Sequence, residues 1–530
     1  MRGHGKLRLA IHRVSFDSAA SRSAMSLTRK ILRGSTLNLV DHAARILAML
    51  VVTPLMVAKL GLEGYGIWLV LTAAVSFLNL LDGGITLSGT RYLARALGGK
   101  DAEAAGLVTG TLRWLYRRIG LGCAVATAGL VLAVPWLVRD AAWQESARLV
   151  LLALGGGMTL RFFLRIHLVI LKGHLRYDLI VAASLVKVVL QTALVLALLT
   201  RGHGLVVLAV AQIISDLFDQ LLVVFFSRRT GGGAHARAGH SPELLPEILR
   251  YSALAFLNTT GQHLRSRIDP FVITNFVGVA AVPVYNMGLR LATLFADMVN
   301  AVMGGTLLAG FSQVEGRDGL DGVRRKFLFS LRFSIPLALL GAAGLAVLGP
   351  AFLLRWVGPD FADSGTVLRL LVPPYALWLM QFPSGSLFLS LNRHNLITKL
   401  TFGAGLFNVA LSVTLASWMG FYGVVWATFV DMTLFYGLAV PLLVSRVLGM
   451  PLMRYYAVLI TPVLKLGLAL GAAALLAQPL VKPDYLSLLM AGMALGAAFG
   501  AACWWLLMHR DERAVILRKL RPASEVKKAA

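Results

Sequence analysis

Apolar runs of about 20 residues or more, each ended by a cluster of Arg, Lys, Gly or Pro, alternate along almost the whole chain. At 1.5 Å per residue such a run crosses the roughly 30 Å hydrocarbon core as a helix, a structure that satisfies its backbone polar groups within the segment. The pattern predicts spans at about 35–58, 64–88, 112–137, 146–171, 178–199 and 204–226, then at 248–277, 283–311, 326–350, 364–390, 396–418, 422–445, 455–477 and 485–508. Between the two sets lies Arg228–Glu247, with the sequence GGGAHARAGHSPE, whose glycine and charge content mark a connecting loop. His235 and His240 lack a Cys or acid partner at ligand spacing, so a linker is the better reading than a metal site. The expected fold is an all-α polytopic membrane protein of about 14 transmembrane helices.

One predicted span breaks the apolar rule. Tyr251–Phe276 carries Asn258, Gln262, His263, Arg265, Arg267 and Asp269 near its middle. A charged side chain at the bilayer centre costs roughly 2.5–3.5 kcal/mol on insertion scales, so three of them require water, a partner or a ligand. At about 100° per residue, Leu257, Leu264, Ile268 and Phe271 fall on one side. Asn258, Gln262, Arg265 and Asp269 recur on the other, flanked by His263 and Arg267. Pro270 removes a backbone donor directly after Asp269, which a membrane helix tolerates where neighbours or cavity water satisfy the freed carbonyl. This helix is expected to line an aqueous cavity.

Composition agrees with the pattern. The 530 residues are 57% hydrophobic and 14% charged, with mean hydropathy +0.74, too apolar for a soluble chain of this length. The net charge of +26 would suggest nucleic acid in a soluble protein, but here the basic residues sit in loops between spans, and no nucleic-acid partner is expected. Alternate connections carry Arg91, Arg95, Lys100, Arg113, Arg117 and Arg118; Lys172 and Arg176; Arg228, Arg229 and Arg237; Arg317, Arg324, Arg325 and Lys326; Arg393 and Lys399; and Arg446 and Arg454. The connections between them are poorer in cations, so the positive-inside rule places both termini in the cytoplasm. Cys123 and Cys503 lie in apolar segments far apart in sequence and offer neither a disulfide framework nor a CxxC site. No GxxxxGK[ST], HExxH or GxSxG occurs, and no enzyme activity or cofactor is expected.

The chain repeats itself. Ile31-Leu32-Arg33 opens the first span and Ile248-Leu249-Arg250 the seventh; Pro54 matches Pro270; Ser76, Asn79, Gly83 and Gly84 answer to Asp297, Asn300, Gly304 and Gly305. Six spans separate the copies, so the two lobes are inserted the same way up, the parallel arrangement in which transporters place their site between lobes. The expected organisation is a basic cytoplasmic tail (1–33, with Met25 an alternative start), a six-helix lobe (34–227), a cytoplasmic linker (228–247), a second six-helix lobe (248–446), an additional two-helix pair (447–510) and a basic tail (511–530).

Other polar stripes point to the same cavity. Asn38, Asp41, His42 and Arg45 share an arc of the first span, and Asn286, Arg290, Thr293, Asp297 and Asn300 form a ladder on the eighth. The fifth and sixth spans offer Ser184, Lys187, Gln191, Gln212, Asp216 and Asp219, and Asp431 is a further candidate. Asp41 with Arg45, and Lys187 with Asp216 or Asp219, read either as cavity groups or as pairs locking helices together. Arg161 and Arg165, near the basic end of the fourth span, are expected to snorkel. Asp216 and Asp219 weakly match the Asp-rich magnesium sites of membrane prenyltransferases, although a helix contact explains them better.

The opening ILRGSTLNLV, the TPLMVAKLGLEGYGIWLVL connection, LLDGGITLSGTRYLAR and the Tyr285 region resemble the polysaccharide or oligosaccharide-lipid flippases, of the O-antigen or teichoic-acid export type, of the multidrug/oligosaccharidyl-lipid/polysaccharide exporter superfamily. The resemblance covers Ile31 to about Arg510. It implies two lobes in a V, alternating access, and a cationic cavity that carries a polyprenyl-diphosphate-linked glycan across the inner membrane. Polysaccharide polymerase and glycosyltransferases are its implied partners. Arg45, His263, Arg265, Arg267 and Arg290 are the substrate-binding residues so implied. Asp41, Asp269, Asp297 and Asp431 are the candidates for a coupling Na⁺ or H⁺. A multidrug antiporter of the same superfamily is the alternative; it would favour acids over the arginine excess seen here.

Overall fold

The computed structural model describes residues 4–201, 204–232, 239–507 and 513, with side chains from Val40 onward apart from 232, 301–306 and 309. The tails expected at 1–33 and 511–530 lie almost wholly outside the described side chains. The helical stretch His4–Phe77 breaks at Gly61 (φ 67°, ψ 179°), a backbone conformation that glycine alone adopts readily, giving α1 (4–60) and α2 (62–98). α2 continues through a 3₁₀ turn, Leu78–Asp82, into Ile85–Gly98. Then follow α3 (Ala102–Leu132), α4 (Ala141–Gly173), α5 (Tyr177–Leu199) and α6 (Leu205–Ser227). Asp101 and Asp140 cap α3 and α4 by accepting from the Ala104 and Ala142 amides.

The second half repeats this layout. α7 runs as Leu244–Arg267, bends beside Pro270 and continues as Asp269–Phe276. Ala281–Val357 breaks at Gly319 (φ 62°) into α8 (281–318) and α9 (320–357). α10 is Ala362–Met380 with its continuation Phe382–Ser390, α11 is His394–Met419, and α12 joins Phe421–Leu434 to Val440–Leu448 through a π turn. α13 (Leu452–Ala477) and α14 (Tyr485–Ala502) complete the chain. Among the described residues, ten helical stretches are long and apolar enough to cross a membrane, one of them (Val40–Gly98) holding the later part of α1 and all of α2. α7, α10 and most of α8 are not among the ten; α7 and α8 carry the charged ladders.

Each lobe has its own core. In the first, Leu71, Leu112, Tyr116, Leu151 and Phe162 from α2, α3 and α4 are almost fully buried. In the second, Phe311, Phe327, Leu379, Phe388 and Val444 play this part, and α13 joins them through Tyr455. Tyr455 also donates its hydroxyl to Gln381 Oε1 (3.0 Å), and Tyr456 to the Gly437 carbonyl (2.7 Å). Lipid gives helices no hydrophobic reason to associate, so close packing falls to small residues. Gly261 on α7 faces the backbone of Thr401 and Phe402 on α11, and Gly405 returns the contact to the Gly261 carbonyl.

The lobes meet along two edges. On one, α2 presses Gly66 against the Val279 carbonyl and Gly84 against Ala255 and the Ser252 carbonyl, while Ser88 Oγ and Ser252 Oγ share a hydrogen bond of 2.8 Å. On the other, Trp356 Nε1 donates to the Leu50 carbonyl (2.8 Å), amid Met56, Tyr65, Met287 and Leu291. Towards the basic-loop end this second edge is bare. Leu47 of α1 is 63% exposed and Met298 of α8 52% exposed, and among the described residues no hydrogen bond or ion pair joins α1 to α8 there.

Gly261→Leu should force α7 and α11 apart at a backbone contact, at a cost of about 1–3 kcal/mol, and lower the melting temperature of the purified protein. Unchanged melting would show that the two helices do not approach so closely.

Candidate functional site

The charged face of α7 is divided by its neighbours. Arg265 turns towards α12, where its Nε lies 2.5 Å from Asp431 Oδ2; the two side chains are 12% and 2% exposed. The π turn Phe435–Ala439 brings Phe435 and Tyr436 over the same guanidinium, with ring centroids at 4.5 and 5.2 Å. Asp269, 1% exposed, accepts the Tyr285 hydroxyl at Oδ2 (2.5 Å), and Tyr285 in turn meets Thr428 at 3.3 Å. Its Oδ1 is buried without a hydrogen-bond partner. His263 lies edge-on to Phe77 with centroids 5.9 Å apart, and its Nδ1 is also unpartnered.

Arg267 and Arg290 differ from Arg265. Both are exposed and neither has an acidic partner among the described residues. The Arg290 charge bears on Arg267 as a like charge, so the two repel across the space between α7 and α8. Arg290 Nε reaches across the lobe boundary to Met49 Sδ at 3.1 Å. Met49 lies one turn beyond Arg45 on α1, which places Arg45 near the same junction. Asp297, two turns along α8 from Arg290, has no ion-pair partner among the described residues.

On the first lobe Arg45 is held by Asp41 (2.9 Å) and by Ser184 Oγ (2.5 Å), and Ser184 donates to the other Asp41 oxygen (2.6 Å). This triangle ties α1 to α5. Further along, Asp216 on α6 receives both Arg161 Nη2 (2.6 Å) and Lys187 Nζ (2.5 Å). Arg161 and Arg165 therefore turn inward rather than snorkel. Arg165 donates to Thr86 Oγ1 at 3.2 Å and lies 3.8 Å from Asp82. A buried acid within reach answers a guanidinium more strongly than a distant headgroup region.

Two participants escaped attention in the sequence. Asp82 accepts from Thr86 (2.7 Å) and Tyr116 (3.3 Å) besides Arg165. It sits in the LLDGG run, where an acid beside two glycines reads as turn chemistry. Asn408, fully buried on α11 with neither side-chain polar atom partnered, lies one turn beyond Gly405, and nothing in its apolar surroundings marks it. Among the described residues, no group of three or more His, Cys, Asp and Glu could hold a metal ion. With Arg45 and Arg265 paired to their acids, Arg267 and Arg290 are left without an acidic partner among the described residues, a pattern suited to gripping a multiply charged anion.

Residues 114–364 match the family described as polysaccharide biosynthesis protein. The chain is 24% identical over 319 residues, 59% of its length, to the uncharacterized membrane protein EpsK of Bacillus subtilis (strain 168). It is 28% identical over 190 residues, 35% of its length, to the probable flippase AglR of Haloferax volcanii. These matches span 61% and 39% of the relatives' own lengths. In fold the chain is similar to the inward-facing conformation of a multidrug resistance MATE family transporter of the MOP superfamily, with TM-score 0.67 and 18% identity over 80% of this chain and 98% of that one. The chain is thus a multi-pass membrane protein, similar over part of its length to polysaccharide biosynthesis proteins and to a probable flippase, with a two-lobe helical fold similar to that of a MATE transporter.

Proposed function

We propose that the protein carries a polyprenyl-diphosphate-linked oligosaccharide, a precursor of cell-surface polysaccharide, across the inner membrane by alternating access. Both termini and the basic loops lie in the cytoplasm, on the side where glycosyltransferases complete the cargo, and a polysaccharide polymerase consumes it on the other. The observation that carries this reading is the unpaired couple Arg267 and Arg290 at the lobe boundary, with Arg45 one turn from their contact residue Met49. A diphosphate brings about two negative charges and planar sets of oxygens, and the guanidinium fork grips these while remaining charged. The bare α1/α8 edge supports passage of the lipid tail through the membrane side, as the headgroup moves within the cavity. A multidrug antiporter would favour acids as its cargo-binding groups, and the exposed groups without a counter-charge here include two arginines, Arg267 and Arg290.

Two neutralising arginines change the energetics of the cycle. The membrane potential does about 2.3 kcal/mol of work per charge per 100 mV, and if the loaded cavity is neutral that work falls on the empty protein's return. We assign the coupling ion, Na⁺ or H⁺, to Asp269, whose Oδ1 is buried and unpartnered; Asp41 and Asp431 are already paired with arginines, and Asp297 is the other unpaired acid.

Three measurements test the reading. In proteoliposomes loaded with lipid-linked oligosaccharide, Arg267→Ala with Arg290→Ala should slow flipping by about 10-fold or more while insertion stays normal, as expected for lost charge-assisted hydrogen bonds. Unchanged flipping would transfer the anion site to Arg45. Arg265→Ala should act mainly on stability, because it strands the Asp431 charge at a cost of about 3–5 kcal/mol, read as a lower melting temperature. Asp269→Asn should abolish the response of flipping to imposed Na⁺ or pH gradients, and a retained response would exclude Asp269 as the coupling group.

A further inference from the structure

Within the first lobe, Trp68, Asn79, Arg161, Lys187, Gln212 and Asp216 line a cavity of about 260 Å³ between α2, α4, α5 and α6. Its walls are of two kinds. Trp68 and the side chains of Leu154 and Met158 make an apolar part, while a network of ion pairs and amide hydrogen bonds around Asp216 makes a polar one. Asp216 Oδ1 holds Arg161 and Lys187, and its Oδ2 accepts from Gln212 Nε2 at 3.1 Å. Gln212 Oε1 is fixed in turn by Gln191 Nε2 at 2.5 Å. Planar groups so braced are presented in set orientations, which lowers the entropy cost of engaging a ligand.

The network leaves capacity unused. Arg161 Nε is buried without a hydrogen-bond partner. Asn79 spends one amide proton on the Ser76 carbonyl (3.3 Å), and no hydrogen bond occupies its Oδ1. Thr72 and Ser76, on the same face of α2, donate their hydroxyl protons to their own helix and keep their oxygen lone pairs. A buried donor without a partner, Arg161 Nε, beside half-buried polar groups with spare acceptors lining the same cavity, calls for water or a ligand to satisfy it. A purely structural ion pair would have closed over itself.

We propose that this cavity is a saccharide subsite that takes one sugar ring of the transported glycan. A pyranose has a face of C–H bonds and an edge of hydroxyls. The first matches the flat, polarisable surface of Trp68; the second matches planar amide, carboxylate and guanidinium groups able to donate and accept at once. The volume is at the small end of ligand sites and suits one ring rather than a polymer. Arg161 and Lys187 against one acid leave the lining with an excess of one positive charge, so neutral and acidic sugars are accepted and a sugar bearing a free ammonium group is repelled. Lys187 stands three residues beyond Ser184 on α5, the residue that holds Arg45. The sugar next to the diphosphate is thus placed beside the anion site; in this respect the inference rests on the flippase reading.

Calorimetric titration of the purified full-length protein in detergent tests the subsite directly. The probes are three free monosaccharides: a neutral N-acetylhexosamine, a uronic acid and an amino sugar. The first two should bind saturably and the third at least about tenfold more weakly, with Trp68→Leu and Gln212→Leu each lowering affinity about tenfold and Trp68→Tyr restoring it. Melting temperatures close to that of the unaltered protein establish that these variants fold. Absence of saccharide binding, or binding untouched by both substitutions, overturns the proposal. In the flipping assay, Trp68→Leu should slow a sugar-bearing carrier more than bare polyprenyl diphosphate; equal slowing of both overturns the subsite and leaves the flippase reading intact. Saccharide binding by a protein that moves no lipid upholds the subsite and sinks the flippase reading.

Discussion

The ion pair between Arg265 and Asp431 shows the constraint under which the rest of this protein is built. Inside a bilayer a charge must be answered, and this guanidinium is answered by a carboxylate and two aromatic faces. The same rule accounts for the Asp41–Arg45–Ser184 triangle, for Asp216 receiving two cations, and for Asp82 receiving Arg165 and two hydroxyls. Each of these sets joins different helices of one lobe, so it braces that lobe internally as well as satisfying charge. Arg267 and Arg290 depart from the rule, with no acidic partner among the described residues, and it is there that the proposed function seats its anionic headgroup.

Satisfaction of charge and closeness of backbones are linked. A pair such as Arg265 with Asp431 forms only if α7 and α12 are held at the correct distance, and α11 sets that distance by meeting α7 through Gly261 and Gly405. Polar groups thereby become precise because the helices around them are packed through small residues. The extra pair α13 and α14 contributes outside this framework, fastened to the second lobe through the hydroxyls of Tyr455 and Tyr456.

The spans were legible because length and hydropathy report directly on the bilayer: the stretch read as 178–199 is Tyr177–Leu199 in the structure, and the polar linker separates α6 from α7. Pro270 reads in the sequence as a missing donor that the helix tolerates within one span, and in the structure the helix bends there. Pairing was not legible. A helical wheel places Arg265 and Asp269 on one polar face, yet it cannot say that Arg265 looks to α12 while Asp269 is enclosed by Tyr285, because those partners lie 166 and 16 residues away. For Arg161, position along the span suggested snorkelling, and an acid on another helix decided otherwise. Asp82 was visible as a residue but not as a hub, since its partners Tyr116 and Arg165 belong to other helices.

The two glycine contacts of α2 have a mechanical meaning. Gly66 and Gly84 are separated by about 27 Å of helix, close to the full depth of the hydrocarbon core, and both touch the second lobe. Along this line the lobes are joined through both leaflets like the boards of a book along its spine, with the fore-edge at α1 and α8. In the proposed alternating-access cycle, opening and closing reduce to one angle about that spine. In that cycle a bulky side chain at either glycine would fix the angle for every cargo alike, so reversibility would depend on two positions that have no side chain at all.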